Sequence, residues 1–196
     1  MNRHEVRELH FITPIENVPS ILEHGLLCHN LVKKLDHRRI DDRDVQTRRD
    51  NKRIPGTGKT LHDFANLYFD AHNPMLSLRR GENDSICVLR FRSDVIDLPG
   101  VIISDRNAAR DWALFKPVTE GLKILDRELL YAPFWLHKED LIAQDRHKGI
   151  KCAEVLVPQK VDSSYILGAY VANEVALTLF QQYSDLHVEV NMDMFF

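Results

Sequence analysis

The sequence predicts an α+β fold built on a mixed or mainly antiparallel sheet. Short apolar segments that suit strands are interleaved with helical segments, without the regular strand–helix–strand alternation of a parallel sheet. Residues 187–196 alternate polar and apolar side chains, which is typical of an edge strand. The chain has 196 residues, of which 44% are hydrophobic and 28% charged, so we expect a single soluble domain covering residues 1–196.

Local patterns predict the elements in order. Residues 9–12 suit a short strand, and residues 16–24 suit a helix whose C-terminal cap is Gly25. Residues 28–59 are polar and charged, which predicts a long loop with one helical stretch over 40–52. The remaining predictions are strands at the end of 61–69 and over 85–92, 101–103, 153–157 and 165–171, and helices over 111–126 (mainly helix), 138–147 and 174–182, the last capped by Asn173.

Composition excludes several classes of protein. No apolar run approaches the roughly 20 residues that cross a membrane, and the first residues lack the apolar stretch of a signal peptide. Cys28, Cys87 and Cys152 are odd in number and far apart, which argues against a disulfide framework, and no CxxC pair indicates zinc. We therefore expect a cytoplasmic protein that binds neither a membrane nor a metal.

Basic residues are concentrated in one segment. Residues 33–59 hold ten Lys and Arg against five Asp, although the whole chain has a net charge of −3. Charge alone favours a solvated loop, and the alternative is a patch that meets phosphates of a nucleotide or nucleic acid. The segment 55–60 looks like the end of a phosphate-binding P-loop, but that pattern needs glycine at position 53, where the chain has Arg53. A flexible glycine loop beside a site is the better interpretation.

The first strand ends with two candidate binding residues. His10 and Thr13 can both point into a cleft there and hydrogen-bond a sugar hydroxyl or an amide. The alternative is a half-buried histidine beside a threonine that starts a turn. Asn107 follows the strand at 101–103, where it either contacts a substrate or caps a helix.

Glu154 lies inside the apolar run 152–157. In a strand it shares a face with Leu156, while Val155 points to the other face. A carboxylate at such a position either faces solvent or has buried partners, and the pattern leaves both open. The large aromatic side chains are expected in the core rather than stacked on bases, namely Trp112, Phe115, Tyr131, Phe134 and Trp135.

Taken in order, these segments resemble the DarT family, the toxins of DarT–DarG toxin–antitoxin systems, which ADP-ribosylate DNA bases. The similarity runs from about Leu9 to Val171 and depends on the ordered set rather than on any one motif. The similar stretches are His10-Phe11-Ile12-Thr13, residues 19–27, Gln46-Thr47-Arg48, Leu61-His62-Asp63-Phe64, Tyr68-Phe69, Asn73-Pro74-Met75-Leu76 and residues 153–158.

The resemblance implies an ADP-ribosyltransferase-like fold, in which a split, mainly antiparallel sheet with flanking helices surrounds an NAD cleft. It implies NAD as co-substrate, Glu154 as the catalytic carboxylate, and Arg48 as a second catalytic residue, with Arg49 as the fallback. The implied NAD-binding residues are His10, Thr13, Asn17, Gly25, Arg48 and Tyr68. The implied substrate-binding residues are His72, Asn73, Met75 and Asn107.

The resemblance also implies single-stranded DNA as substrate, contacted by roughly residues 138–152, and a macrodomain antitoxin of the DarG kind as partner. Thymidine-modifying members tend to carry Arg-Ser before Pro-Met and a histidine after the strand at 101–103, whereas this chain has His72-Asn73 and Asn107. These differences leave guanosine and thymidine both open. The alternatives are an NAD-dependent transferase acting on RNA or protein, and a non-catalytic nucleic-acid-binding module of the same fold.

Overall fold

The computed structural model describes residues 1–38 and 43–196. Within these residues, eight strands form one sheet and two form a small separate sheet. The strands are β1 Glu8–Pro14, β2 Leu26–Leu27, β3 Phe64–Tyr68, β4 Ile86–Arg92, β5 Ile102–Ser104, β6 Phe115–Pro117, β7 Glu154–Pro158, β8 Lys160–Val161, β9 Ile166–Val171 and β10 Val188–Val190. The α-helices are α1 Val18–His24, α2 His29–Val32, α3 Arg43–Asp50, α4 Pro74–Leu78, α5 Val118–Ile124, α6 Arg127–Leu130, α7 Leu141–Lys151 and α8 Glu174–Tyr183.

The large sheet has the strand order β10-β9-β4-β1-β3-β7-β5-β6. Its neighbouring strands are antiparallel except β9 and β10. β1 pairs with β4 along its whole length, but it meets β3 at a single register pair, His10 with Tyr68. The sheet is therefore split at this junction, and the predicted α+β class with a split, mainly antiparallel sheet is confirmed.

Alternating side chains place two different environments on the two faces of the sheet. The main core contains Leu9, Leu67 and Val155 together with residues of α5 and α8, so helices cover this face. The other face carries Ile12 and Tyr68 in a smaller apolar cluster. Because side chains alternate along a strand, the residues between the core positions point towards this less enclosed face, where the candidate site lies.

Most predicted elements are present, and one required correction. The segment predicted to be mainly helix over 111–126 contains strand β6, and the helix α5 begins only after it. Pro117 explains the boundary: it is the residue that precedes α5, and proline lacks the N–H that a helix interior needs. The helix predicted over 40–52 is observed as α3, while residues 40–42 of that prediction lie outside the described residues.

Two further expectations concern the strand at the edge of the sheet and the length of the helices. β10 lies at the edge of the large sheet, as the alternating pattern of residues 187–196 predicted, but the strand covers only Val188–Val190 of that range. Among the residues that the structure describes, no helix combines the length and apolar character required to span a bilayer.

Candidate active site

A row of polar side chains crosses the sheet at its split. His10 on β1 is paired with Tyr68 on β3, Tyr68 with Glu154 on β7, and Glu154 with Ser104 on β5. Directly opposed residues in antiparallel strands project from the same face. The row therefore brings His10, Tyr68 and Glu154 together although they are far apart in sequence.

Glu154 is completely buried and fully engaged. Its Oε1 accepts a hydrogen bond of 2.8 Å from the backbone N–H of Ala108, and Arg49 Nη1 lies 3.1 Å from each carboxylate oxygen. A buried charge needs such partners to offset the loss of water. Of the two possibilities that the sequence left open, the structure shows the carboxylate with buried partners.

The arginine at this carboxylate is Arg49 rather than Arg48. Arg49 is 7% exposed, whereas Arg48 is exposed to solvent. An α-helix turns once in about 3.6 residues, so adjacent side chains of α3 point in directions about 100° apart. The resemblance implied Arg48 as a catalytic residue and a contact of NAD, with Arg49 as the fallback, and that role stays a prediction. The contact with Glu154 is made by its neighbour, Arg49.

A cavity of about 450 Å³ opens beside this row. Its volume lies within the range of roughly 300–1,000 Å³ that is usual for small-molecule sites. Six of the residues implied by the resemblance line it: Thr13, Asn17, Gly25, Tyr68, Met75 and Asn107. The cavity is also lined by polar residues to which the sequence had assigned no role, namely Gln46, His62, Asn66 and Arg110, and by Lys148 from the segment 138–152 that is implied to contact DNA.

Five implied site residues do not line this cavity: His10, Arg48, His72, Asn73 and Glu154. Glu154 is nevertheless one contact away, because Arg49 both lines the cavity and bonds the carboxylate. Tyr68 likewise lines the cavity and faces Glu154 across the strand pair. The side chains of Arg49 and Tyr68 thus connect the buried carboxylate with the open space.

His72 and Asn73 are used within the fold. Asn73 caps α4, accepting from the N–H groups of Met75 and Leu76, and its amide donates to Asp70 O. The two ring nitrogens of His72 lie 3.1 Å from the carbonyl of Met194 and 3.2 Å from that of Pro133. The polar atoms of both side chains are thus engaged within the fold, and their implied role as contacts of the base stays a prediction.

The backbone around the cavity is shaped by Gly25. Its φ is +82°, a left-handed conformation that favours glycine, and a Cβ there would lie 2.5 Å from the carbonyl oxygen of Val161. The sequence predicted the helix cap but could not indicate that β8 crosses behind it.

On the same side of the cavity, Asn17 donates to Thr13 Oγ1 at 3.4 Å and to the carbonyl of Arg38 at 2.8 Å. These hydrogen bonds order the chain at the cavity wall.

His10 has one ring nitrogen engaged and one without a partner. Nε2 lies 3.0 Å from Glu8 Oε1, while Nδ1 is buried and has no hydrogen-bond partner among the described residues. Although burial opposes ionisation, hydrogen bonds from His10 and Arg90 lower the pKa of Glu8 to about 2. The carboxylate of Glu8 therefore stays charged at neutral pH and holds the imidazole in place.

Two other ionisable groups beside the cavity stay protonated. Burial, with the nearby Glu154 charge, raises the pKa of Tyr68 well above its usual value. Burial, again with Glu154, raises the pKa of the Cys152 thiol to about 12. Because a thiolate is the reactive form of cysteine, Cys152 is not suited to act as a nucleophile at neutral pH. In the described parts of the chain, no three His, Cys, Asp or Glu side chains are grouped so that they could hold a metal ion.

Some of the aromatic residues expected in the core are on the surface. Trp112 is 84% exposed and Phe134 is 75% exposed, whereas Trp135 is buried. Trp112 follows closely after Arg110, which lines the cavity and pairs with Asp145 on α7. Trp112 therefore lies on the surface, two residues after an arginine that lines the cavity.

The chain has the α+β fold of the Thermosipho africanus DarTG structure in complex with ADP-ribose, which it matches with a TM-score of 0.81 and 28% identity, covering 97% of this chain and 51% of that chain. More specifically, the chain belongs to the DarT family, because residues 10–196 match the family described as ssDNA thymidine ADP-ribosyltransferase, DarT. The predicted family is therefore confirmed.

Characterised relatives agree with this assignment. The chain is 31% identical over 199 residues to a DNA ADP-ribosyl transferase–DNA ADP-ribosyl glycohydrolase fusion protein of Thermosipho africanus, covering 95% of this chain but only 48% of the relative. It is 28% identical over 180 residues to a DNA ADP-ribosyl transferase of Escherichia coli O127:H6, covering 85% of this chain and 81% of the relative.

A solved structure is similar over the whole fold. The Thermus sp. 2.9 DarT in complex with ADP-ribosylated ssDNA matches with a TM-score of 0.80 and 24% identity, covering 98% of this chain and 97% of that chain. The same Thermus protein in complex with NAD+ matches with a TM-score of 0.76 and 23% identity, covering 98% of each chain. At this level of identity the similarity establishes the fold.

Proposed function

We propose that this chain transfers ADP-ribose from NAD to a base in single-stranded DNA. The observation that carries the proposal is the buried carboxylate of Glu154, held by Arg49 in the row that crosses the split of the sheet. Family membership supports it, as do the complexes of the Thermus DarT with NAD+ and with ADP-ribosylated ssDNA. The family description makes thymidine the first acceptor to test, and guanosine the second.

The roles of the residues follow from the charge that the reaction creates. Cleavage of the bond between nicotinamide and ribose leaves positive charge on the sugar, which the Glu154 carboxylate is suited to stabilise. Preorganised groups of this kind contribute roughly 10²–10³ in rate. Arg49 has the planar, permanently charged group that suits phosphates. We propose that NAD phosphates draw the guanidinium of Arg49 away from Glu154, which opens the carboxylate to the cavity.

The cavity offers groups that fit the rest of a dinucleotide. The hydroxyl of Thr13 lines it and is available to a sugar or amide group, and Gly25 leaves the backbone without a side chain at the wall. His10 lies behind the cavity wall with Nδ1 unpartnered, so its contact with NAD requires a local movement of that wall. The contacts of His10, Thr13, Gly25, Asn17 and Tyr68 with NAD are part of the proposal. A base is a poor acceptor while it is paired and stacked, so a single strand is the substrate that avoids this cost.

The surface around Trp112 is proposed to contact the DNA strand. Lys148 and Cys152 of the α7 region line the cavity, and Leu141 lies two turns before Lys148 on the same side of α7 and is 75% exposed. Exposed aromatic side chains stack with bases in a manner that tolerates different sequences, and exposed aliphatic side chains beside them offer apolar contact. Met75 and Asn107, which line the cavity, are the proposed contacts of the target base itself.

We further propose that residues 1–196 form a single domain, located in the cytoplasm, whose partner is a macrodomain antitoxin of the DarG kind. The relative from Thermosipho africanus combines a transferase with a DNA ADP-ribosyl glycohydrolase, which supports a partner that reverses the modification. The three free cysteines, all buried, fit a reducing compartment.

The test is mass spectrometry of short oligonucleotides after incubation with the protein and NAD. Separate single strands would contain thymidine or guanosine as the only modifiable base, and parallel reactions would offer duplex DNA, RNA and protein. We expect an added ADP-ribose on a single-stranded DNA, which Glu154→Gln removes and the surface control Glu120→Gln does not. Modification of RNA or protein alone would replace the proposed substrate, and modification that persists in Glu154→Gln would remove the proposed role of this carboxylate.

A further inference from the structure

One histidine contacts two side chains of helix α3. His62 Nδ1 lies 2.8 Å from Asp50 Oδ1, and His62 Nε2 lies 3.0 Å from Gln46 Oε1. Gln46 and Asp50 are one helical turn apart, so they project from the same side of α3. Arg49 lies between them in sequence and projects towards Glu154.

The histidine itself is rigidly placed. It is 4% exposed and belongs to a short 3-10 turn, Leu61–Asp63, that leads directly into β3. Thr60 and Asp63 close that turn, with Thr60 N–H donating to Asp63 Oδ2 at 2.8 Å. The ring also stacks on His29, with ring centres 4.1 Å apart. His62 therefore presents two fixed hydrogen-bonding positions to α3.

The hydrogen bonds are compatible with a neutral ring. Burial lowers the pKa of His62, and the positive charges of Arg49 and Lys33 act in the same direction, while Asp50 opposes them. A neutral ring donates from Nδ1 to Asp50 and accepts at Nε2, and a half-turn of the Gln46 amide supplies the matching N–H. Both contacts can thus be kept without a buried positive charge.

We propose that His62 is a positioning residue for the transfer reaction. Its hydrogen bonds with Gln46 and Asp50 fix the rotation of α3, and this rotation makes Arg49 rather than Arg48 face Glu154. A rotation of α3 by one residue, about 100°, would bring a different side chain to the carboxylate. The inference rests on the proposed role of Arg49 in the transfer reaction. Which arginine of α3 faces Glu154 is, however, a property of the fold alone.

The first test measures this selection without catalysis. The coupling between Arg49 and Glu154 is obtained from the unfolding free energies of Arg49→Gln, Glu154→Gln and the double variant. The cycle is then repeated in a Gln46→Ala/Asp50→Ala background, where His62 remains but both of its hydrogen-bond partners on α3 are absent. We expect the coupling to vanish there, and an unchanged coupling would overturn the proposal. This result is independent of whether DNA is the substrate.

The second test uses the transfer reaction. We expect Asp50→Ala to lower kcat by roughly tenfold to a hundredfold, since small misplacements of a reacting group have effects of this size. Asp50→Asn, which keeps an oxygen for His62, should recover most of the rate, and Asp36→Ala, which removes an exposed acidic residue, should have no effect. In an Arg49→Gln background Asp50→Ala should cause no further loss.

A full additional loss in the Arg49→Gln background would show that Asp50 acts by another route and would overturn the proposal. Asp50 is about half exposed, with 54% of its side-chain surface accessible, so its substitution is compatible with folding. If the wild-type chain modifies no DNA while the first test succeeds, the proposed function fails, and what stands is that His62 selects Arg49 to face Glu154.

Discussion

Removal of the Glu154 side chain should destabilise the fold as well as stop catalysis. Glu154→Ala leaves the guanidinium of Arg49, whose side chain is only 8% exposed, without a counter-charge, and the N–H of Ala108 without an acceptor. Breaking a buried pair in this way costs about 3–5 kcal/mol. A lost acceptor costs about 1–3 kcal/mol. Because the two effects share one carboxylate they overlap, and we expect a total of about 4 kcal/mol.

The size of the chain converts this energy into a measurable shift. A domain of 150–250 residues loses about 2–4 °C in Tm for each kcal/mol, so Glu154→Ala should unfold about 8–16 °C below the parent. Glu154→Gln should lose roughly half as much, because its amide oxygen still accepts from Ala108 and Arg49. For this reason Glu154→Gln is the better variant for assays of catalysis.

The assay is unfolding by urea and by heat, without NAD or DNA, followed by circular dichroism. The matched control is Asp145→Asn, which breaks an ion pair with Arg110 at the surface, where the side chains are 64% and 40% exposed. Exposed pairs contribute about 0–1 kcal/mol, so this variant should unfold close to the parent. Equal stability of Glu154→Ala and the parent would show that the buried pair with Arg49 does not form in solution.

Three further predictions concern the backbone, the surface and pH. Gly25→Ala should lower the unfolding free energy measured in urea by more than about 1 kcal/mol, because φ is +82° and the new Cβ would meet Val161 O, whereas Gly81→Ala has open space and should not. Trp112→Ala should weaken the binding of a labelled single strand about fivefold or more but leave Tm and NAD affinity unchanged, and unchanged DNA binding would remove the proposed surface. The lowered pKa of Glu8 stabilises the fold above pH about 4.5, and this contribution is lost as pH falls to about 2. In Glu8→Gln the unfolding free energy should therefore depend less on pH across that window. An identical pH dependence in the variant and the parent would contradict the assignment.

The sequence could predict the sheet and the position of Glu154 because both depend on local patterns. Alternation in 152–157 placed Glu154 and Val155 on opposite faces, and the structure has Val155 in the main core and Glu154 in the polar row. The edge strand at the tail and the cap at Gly25 also follow from local rules. Nothing local identifies the partners of Glu154, since they come from α3 and from the loop after β5.

The choice between Arg48 and Arg49 shows where local patterns end. The two residues are identical in type and adjacent, so only the rotation of α3 distinguishes them, and that rotation depends on contacts with His62 in a distant segment. Trp112 is a similar case, because aromatic residues usually lie in cores and no periodic pattern in its loop indicates exposure. In both cases the missing information is tertiary.

The site depends on the register of the sheet rather than on the polar row alone. β1 and β3 share a single pair, so hydrogen bonds between these strands do little to fix where His10 meets Tyr68, whereas the register of β3 with β7 sets Tyr68 opposite Glu154. A slip of one residue in β7 would turn Glu154 into the apolar core and Val155 towards the cavity. The apolar residues on the far face, including Leu67 and Val155, oppose that slip because it would expose them and bury a charge. The packed face of the sheet therefore sets the geometry of the face that carries the chemistry.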